Sequence, residues 1–334
     1  IFRALEKGAK LVVADPRRIQ LALKADVYAR QNLGTDVALL NGIMHVILKN
    51  NWHDQKFVEE RCEGFEEFKA VIDNCPPEKA AEITGVSADD IAKIAEYYAK
   101  ADAATIVYCM GITQHTTGVD NVKSLANLAM LTGNMGKEST GVNPLRGQNN
   151  VQGACDMGGL PNVYSGYQAV NVIDNQTKFE DAWNAKLSDQ IGLTIPFVLS
   201  GLAEGKVKAL FAVGENPMVS DPDIGHVEKA LNNAELLVVQ DIFLTPTAEL
   251  AHVVLPGTSF AEKDGTFTNT ERRVQLVRKA IEPVGESKPD WEIIQEISNR
   301  FGYEMNYGSA EDIMKEISTL TPSYGGITLS LIHI

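Results

Sequence analysis

Apolar residues along this chain gather in short runs separated by polar and glycine-rich breaks. Five runs, at positions 10–14, 104–109, 209–213, 236–239 and 253–255, have the length and β-branched content of strands. Between them lie segments whose apolar residues recur at helical spacing, among them 36–49, 87–100 and 119–131. Ser87 and Asp90 stand three apart at the start of the second of these, the arrangement of a capping box. Strands alternating with helices predict parallel sheets with helices on both faces. The expected fold class is therefore α/β, with two doubly wound, mostly parallel sheet domains and a small β excursion.

That excursion is expected at about 260–288, where Thr266 to Asn269 and Arg272 to Arg278 read as hairpin strands. A first domain is expected over 1–148 and a second over 149–328. Residues 329–334 resemble a translated sequencing adaptor and are set aside, His333 with them.

Open parallel sheets bind ligands beyond the carboxyl ends of their strands, and here polar segments follow the runs. The first run delivers Asp15-Pro-Arg-Arg18, the second Gly111-Ile-Thr-Gln-His115, the third Gly214-Glu-Asn-Pro217 and the fourth Gln240-Asp241. No GxGxxG follows the first run, which disfavours a conventional dinucleotide enzyme. Gly136-Lys137 is not a phosphate loop, because Leu131 stands where that pattern requires glycine and Glu138 where it requires Ser or Thr. The stretch 131–136 instead predicts a helix end with a left-handed glycine.

Charge narrows the partners. The 334 residues carry 44 carboxylates against 30 Lys plus Arg, which argues against a nucleic-acid or anionic-membrane surface. Apolar runs are strand-sized, well short of the roughly 18 residues a membrane helix requires, so no direct membrane insertion is expected. Cys62, Cys75, Cys109 and Cys155 form no CxxC pair, so neither a zinc knuckle nor an iron–sulfur ligand set is encoded in these residues. Reduced thiols fit a cytoplasmic location; the chain opens without Met, and an upstream signal peptide stays open.

One loop stands apart. Between Gly141 and Ile173 the only charged side chains are Arg146 and Asp156, and Arg146 is followed by Gly147, Gln148, Asn149, Asn150 and Gln152. Glycines permit close backbone approach, and amides offer both donors and acceptors, so the loop suits a polar, anionic ligand. A surface turn whose arginine caps a helix is the alternative. Cys155 either lines the site or packs as a small thiol. His45, His53, His226 and His252 have no neighbour at ligand spacing and read as structural; His115 adjoins Gln114 at a strand end.

The Arg146 loop, with Gly111-Ile-Thr-Gln-His-Thr-Thr-Gly118, Leu125-Ala-Asn-Leu-Ala-Met-Leu-Thr-Gly-Asn134, Val239-Gln-Asp-Ile-Phe243 and Val254-Leu-Pro256, resembles the catalytic subunit of molybdenum- or tungsten-dependent formate dehydrogenases, in order and in spacing, from Ile1 to about Thr328. The resemblance implies two molybdopterin guanine dinucleotides, one per α/β domain, sharing one Mo or W ion. Arg146 would hold formate for oxidation to carbon dioxide, with the C–H bond turned to the metal.

Carried over by position, Asp15 and Arg17 would contact a ribose or phosphate, and Asp36 the guanine edge, where a carboxylate accepts both N1–H and N2–H. Gln114 and Gln148 would reach the pterin or its phosphates. Asn216, Ser220, Gln240 and Asp290 would serve the second nucleotide, Asn216 replacing an aspartate found in some relatives. Each position has a plainer reading: Asp15 as a turn residue before Pro16, Asp36 as a helix-start charge, and Glu215-Asn-Pro217 and Lys288-Pro-Asp290 as ordinary turns.

The same resemblance places the metal-binding Cys or selenocysteine and the four cysteines of a 4Fe-4S cluster upstream of Ile1, so this chain by itself is expected not to turn over. Iron–sulfur or other electron-transfer subunits are the implied partners, and the excursion at 260–288 would lean toward the cluster. Two rivals remain at this level. One is another molybdopterin oxidoreductase, of nitrate reductase type; the other is a metal-free structural electron-transfer subunit of the same fold.

Overall fold

A computed structural model describes residues 1–332, so His333 lies outside the described residues. The chain divides into two compact units, Ile1–Gly147 and Gln148–Ile334. In the first, β1 (Val12–Ala14) pairs in parallel with β2 (Val27–Ala29), and β3 (Thr105–Tyr108) in parallel with β4 (Gly141–Pro144). In the second, β5 (Val163–Tyr164) and β6 (Gln168–Ala169) form a minimal antiparallel pair. There β7 (Ala209–Val213), β8 (Leu236–Asp241) and β9 (Val253–Pro256) build a three-stranded parallel sheet, and β10 (Gly265–Thr268) pairs antiparallel with β11 (Val274–Val277). The architecture is mixed α/β with small parallel sheets, as the alternating pattern predicts.

Helix Asp36–Lys49 organises the first unit's core because Leu39, Leu40, Ile43, Met44 and Ile47 repeat at three- and four-residue spacing on one buried face. They pack with Ile91 and Ile94 of helix Ala88–Ala99 and with Leu125 and Leu128 of helix Gly118–Leu131. Ser87 caps Ala88–Ala99 by accepting the Asp90 N–H at 3.1 Å, but the expected return bond differs. The Asp90 carboxylate takes the Ser87 hydroxyl at 2.7 Å. A capping box returns to the backbone N–H of the cap residue, for which Glu has one methylene more reach; the full box forms at Ser259 and Glu262.

Helix Gly118–Leu131 ends as expected, on Gly133 with φ 64°. In the second unit Leu199, Leu202, Val227, Ala230 and Leu231 pack with Ala212, Leu237 and Val239 of the sheet. On the sheet's other face Phe211, Val213, Leu236 and Val253 stay exposed.

Four strands lie outside the predicted runs, β2, β4, β5 and β6, and β4 matters for the site. β2 and β4 are short, and β4 reads Gly-Val-Asn-Pro, with one apolar residue to signal it. Its strand geometry comes from pairing with β3, Ile106 opposite Val142, rather than from local pattern. The first predicted run also starts late: Lys10 stands before β1 and pairs with Asp26 at 2.8 Å.

Candidate functional site

The named side chains sit where strands stop. Asp15 directly follows β1, and its Oδ1 accepts the Arg17 N–H at 2.7 Å, an Asx turn that leaves the Arg17 side chain exposed. Two residues past β2, Gln31 is buried, and its Nε2 donates to Asp36 Oδ1 at 3.3 Å. Asp36 is 7% exposed in the first turn of its helix, so its carboxylate is held close to a helix N-terminus. Gln114 is exposed and does not directly follow β3, because the helical turn Met110–Thr113 intervenes. His115 holds the Gly111 carbonyl through Nε2 at 2.9 Å.

Arg146 lies two residues past the carboxyl end of β4, half-buried, in a segment joined to β3 by the Leu145 N–H donating to the Tyr108 carbonyl at 2.8 Å. Gln148 opens the second unit and is exposed. Downstream, Asn150 adopts the left-handed conformation and starts helix Val151–Asp156.

The second unit gathers its candidates at the carboxyl edge of one sheet. Asn216 follows β7, and its Oδ1 accepts the Thr247 hydroxyl at 2.7 Å and the Thr247 N–H at 3.3 Å. Ser220 turns back to Glu215 and to the Asn216 carbonyl. Burial and the neighbouring Glu215 push the Asp221 carboxyl above its usual range. Gln240, near the end of β8, is 1% exposed, and its Nε2 donates to Asp290 Oδ1 at 2.7 Å. Asp290 also pairs with Lys263. Gly257, directly after β9, is a close approach: a Cβ there would stand 3.0 Å from Asp290 Oδ1.

The structure thus brings Gln240 and Asp290 together, places Asn216 at the same edge, and leaves Arg17, Gln114 and Ser220 on exposed surface. Sequence reading missed Gln31, Thr247, Thr258 and Lys263. Thr258 carried a usable signal, its position just beyond an apolar run; Gln31 carried none, since β2 was not seen.

Three buried polar atoms at these strand ends have no protein partner: Gln31 Oε1, Gln240 Oε1 and Thr258 Oγ1. An unpaired buried acceptor costs about 1–3 kcal/mol, which a ligand bringing N–H donors would recover. Two amide oxygens and a hydroxyl beside carboxylates suit a base or ribose edge rather than a metal ion. Among the described residues no group of three or more His, Cys, Asp or Glu is arranged to hold one.

A family model for molybdopterin oxidoreductases matches residues 1–300, and the chain belongs to that family. Membership implies a molybdopterin cofactor. Among the curated relatives, the F420-dependent formate dehydrogenase subunit alpha of Methanocaldococcus jannaschii is 54% identical over all of this chain and 50% of its own length. Formate dehydrogenase H of Escherichia coli is 46% identical over 98% of this chain and 46% of its own. Among solved structures, acetylene hydratase from Pelobacter acetylenicus superposes with a TM-score of 0.77 at 26% identity, covering 98% of this chain and 48% of that one. The chain spans about half the length of the curated relatives it matches.

Proposed function

We propose that this chain is part of a formate dehydrogenase catalytic subunit, in which Arg146 holds the formate carboxylate. The observation that carries the reading is the placement of Arg146: a half-buried guanidinium just past a parallel strand, in a loop of glycines and amides. Relatives named formate dehydrogenases at 46–54% identity support the substrate class. A nitrate reductase type is disfavoured, because Arg146 leads the formate-type string Gly147-Gln-Asn-Asn150. The acetylene hydratase likeness is more distant in sequence and supports the fold, not the reaction. A metal-free structural subunit is disfavoured by the orphaned acceptors at strand ends of both units.

Formate offers one anchoring group. A planar guanidinium matches it with two parallel N–H donors, fixing orientation as well as charge. Loss of that fork costs alignment of the C–H bond, which is the part of the barrier a binding residue controls. The proposed cofactor, a bis(molybdopterin guanine dinucleotide) with Mo or W, would supply two-electron chemistry when bound, with a 4Fe-4S cluster outside these residues as the proposed link to partner subunits. Asp36 and Gln31 would accept from the base edge of one nucleotide, and Asp15 with Arg17 would meet its ribose or phosphate. Gln240, Thr258 and Asp290 would meet the other, with Asn216 and Ser220 beside it. Gln114 and Gln148 would reach pterin or phosphate.

The test is Arg146→Ala in the full-length enzyme. Pterin, metal and cluster are expected to stay, while formate kcat/KM falls on the order of a hundredfold to a thousandfold, as when one charge-stabilising donor is removed from a site. Arg146→Lys should keep a fraction, because charge survives without the fork. Unchanged formate kinetics in Arg146→Ala would refute the assignment; loss of the cofactor would make Arg146 a pterin-binding residue instead.

A further inference from the structure

Beyond the substrate-binding arginine, the second unit contains a buried polar chain that no catalytic role has used. Tyr324, 5% exposed, places its hydroxyl 2.9 Å from Asp156 Oδ2 and 2.8 Å from Thr268 Oγ1. Its one proton goes to the carboxylate, so Thr268 must donate to the phenol oxygen. Burial, with Asp156 opposite, pushes the Tyr324 phenol up to about 12, which keeps that proton in place at physiological pH. The other oxygen of Asp156 accepts Gln152 Nε2 at 2.7 Å, and Gln152 also meets the Tyr167 hydroxyl at 3.1 Å. The backbone N–H of Thr268 donates to Asn150 Oδ1 at 2.9 Å.

Asn150 is the telling member. It stands at the N-cap of helix Val151–Asp156, where an Asn side chain usually accepts an N–H of its own helix. Here no such cap bond forms, and Asn150 sits at φ 60° with its oxygen on β10 instead. Gly153 makes room for this, since a Cβ there would stand 2.1 Å from Asn150 Oδ1. Local helix chemistry has been given up for a tertiary bond, four residues along the chain from Arg146.

We infer that Asn150, through Thr268, Tyr324 and Asp156, is a positioning residue: it pins the downstream end of the substrate loop to the β10–β11 hairpin and so limits where Arg146 holds the carboxylate. The inference rests on Arg146 binding formate. A fully satisfied buried network is stiff, because each group has its partner and any displacement leaves one unpaired. A pinned loop keeps the guanidinium in one place between turnovers; a free one spreads it over several.

The experiment compares Asn150→Ala, Gly153→Ala and Asn150→Asp with Arg146→Ala in the full-length holoenzyme. Asn150→Ala and Gly153→Ala each remove the bond to Thr268 N, the second by expelling the Asn150 oxygen. Both are expected to raise KM for formate and lower kcat/KM roughly tenfold to a hundredfold, the scale of an ångström of misplacement, with pterin and metal retained and a modest fall in melting temperature from the unpaired Thr268 N–H. Asn150→Asp still offers an acceptor and should restore most of kcat/KM. A merely structural role would lower the active fraction and leave KM alone, and that result would overturn the inference. So would unchanged kcat/KM in Asn150→Ala beside a crippled Arg146→Ala. If Arg146→Ala itself keeps normal kinetics, the formate assignment fails first and this inference falls with it.

Discussion

The strand ends of the two units are built differently. In the first, the carboxyl ends of β1 and β2 carry groups with local partners: Asp15 bonds Arg17 two residues on, and Asp36 meets Gln31 five residues back. In the second, the bonds span the unit, Asn216 to Thr247 over 31 residues and Gln240 to Asp290 over 50. Lys263 joins Asp290 from a third element. Local bonds form wherever the turn forms, so they hold a residue without shaping a site. Long-range bonds exist only when the whole sheet is assembled, and they place donors and acceptors before a ligand arrives. Arg30 and Asn32 do anchor the end of β2 to Pro16 and Ile83, so the contrast lies in the candidate residues themselves: Asn216, Gln240 and Asp290 are held across their unit, whereas Asp15 and Asp36 are held locally.

The comparison breaks most readily at Asp290. Asp290→Ala in the full-length enzyme strands Gln240 Nε2 in a site with 1% exposure, at a cost of about 1–3 kcal/mol. The ion pair with Lys263 adds little, because both side chains are partly exposed. Thermal unfolding should show a lowered melting temperature together with reduced pterin content, and Asp290→Asn, which keeps an acceptor, should recover much of both. Full stability and full pterin in Asp290→Ala would mean that this edge is not built in advance.

Asp36→Ala should affect the cofactor more than the fold. Its bond to Gln31 is long at 3.3 Å, so less protein stability depends on it than on the 2.7 Å bond from Gln240 to Asp290. Loss of charge-assisted bonds to a guanine edge is worth roughly 1.5–3 kcal/mol, read as lower pterin occupancy at nearly unchanged melting temperature. Normal pterin content would return Asp36 to a helix-start role.

The smallest effect is expected at Arg17. Its side chain is exposed, and an exposed cation near a phosphate is screened by salt. Arg17→Ala should lower cofactor retention detectably in low salt and hardly at all at high ionic strength; equal effects in both would point to a buried contact instead.

Much of this was legible in residue order. Helix Asp36–Lys49 could be read from its apolar spacing, because its buried face is continuous in sequence. β7, β8 and β9 were visible as apolar runs, and the rule that ligands meet strand ends marked the segments that hold Asn216 and Gln240, whose proposed roles come from the family resemblance. β2 and β4 were not, since β2 is only three residues long and β4 has one strand-forming side chain, and each becomes a strand only through its partner. Lys263 was invisible for a related reason: nothing local distinguishes a lysine that meets a carboxylate 27 residues away from one in solvent.

By itself, the order of residues determined the class of fold, the helices that carry the first core, and the isolation of Arg146 among glycines and amides, because periodicity and composition act over a few residues at a time. Tertiary structure alone decided that Gly141–Pro144 becomes a strand ending two residues before Arg146, that Asn150 turns from its own helix to β10, and that Gln31, Gln240 and Thr258 are left with unpaired atoms at strand ends. Those outcomes depend on which distant groups meet when the core closes, and burial sets the cost of a missing partner only once water has been excluded.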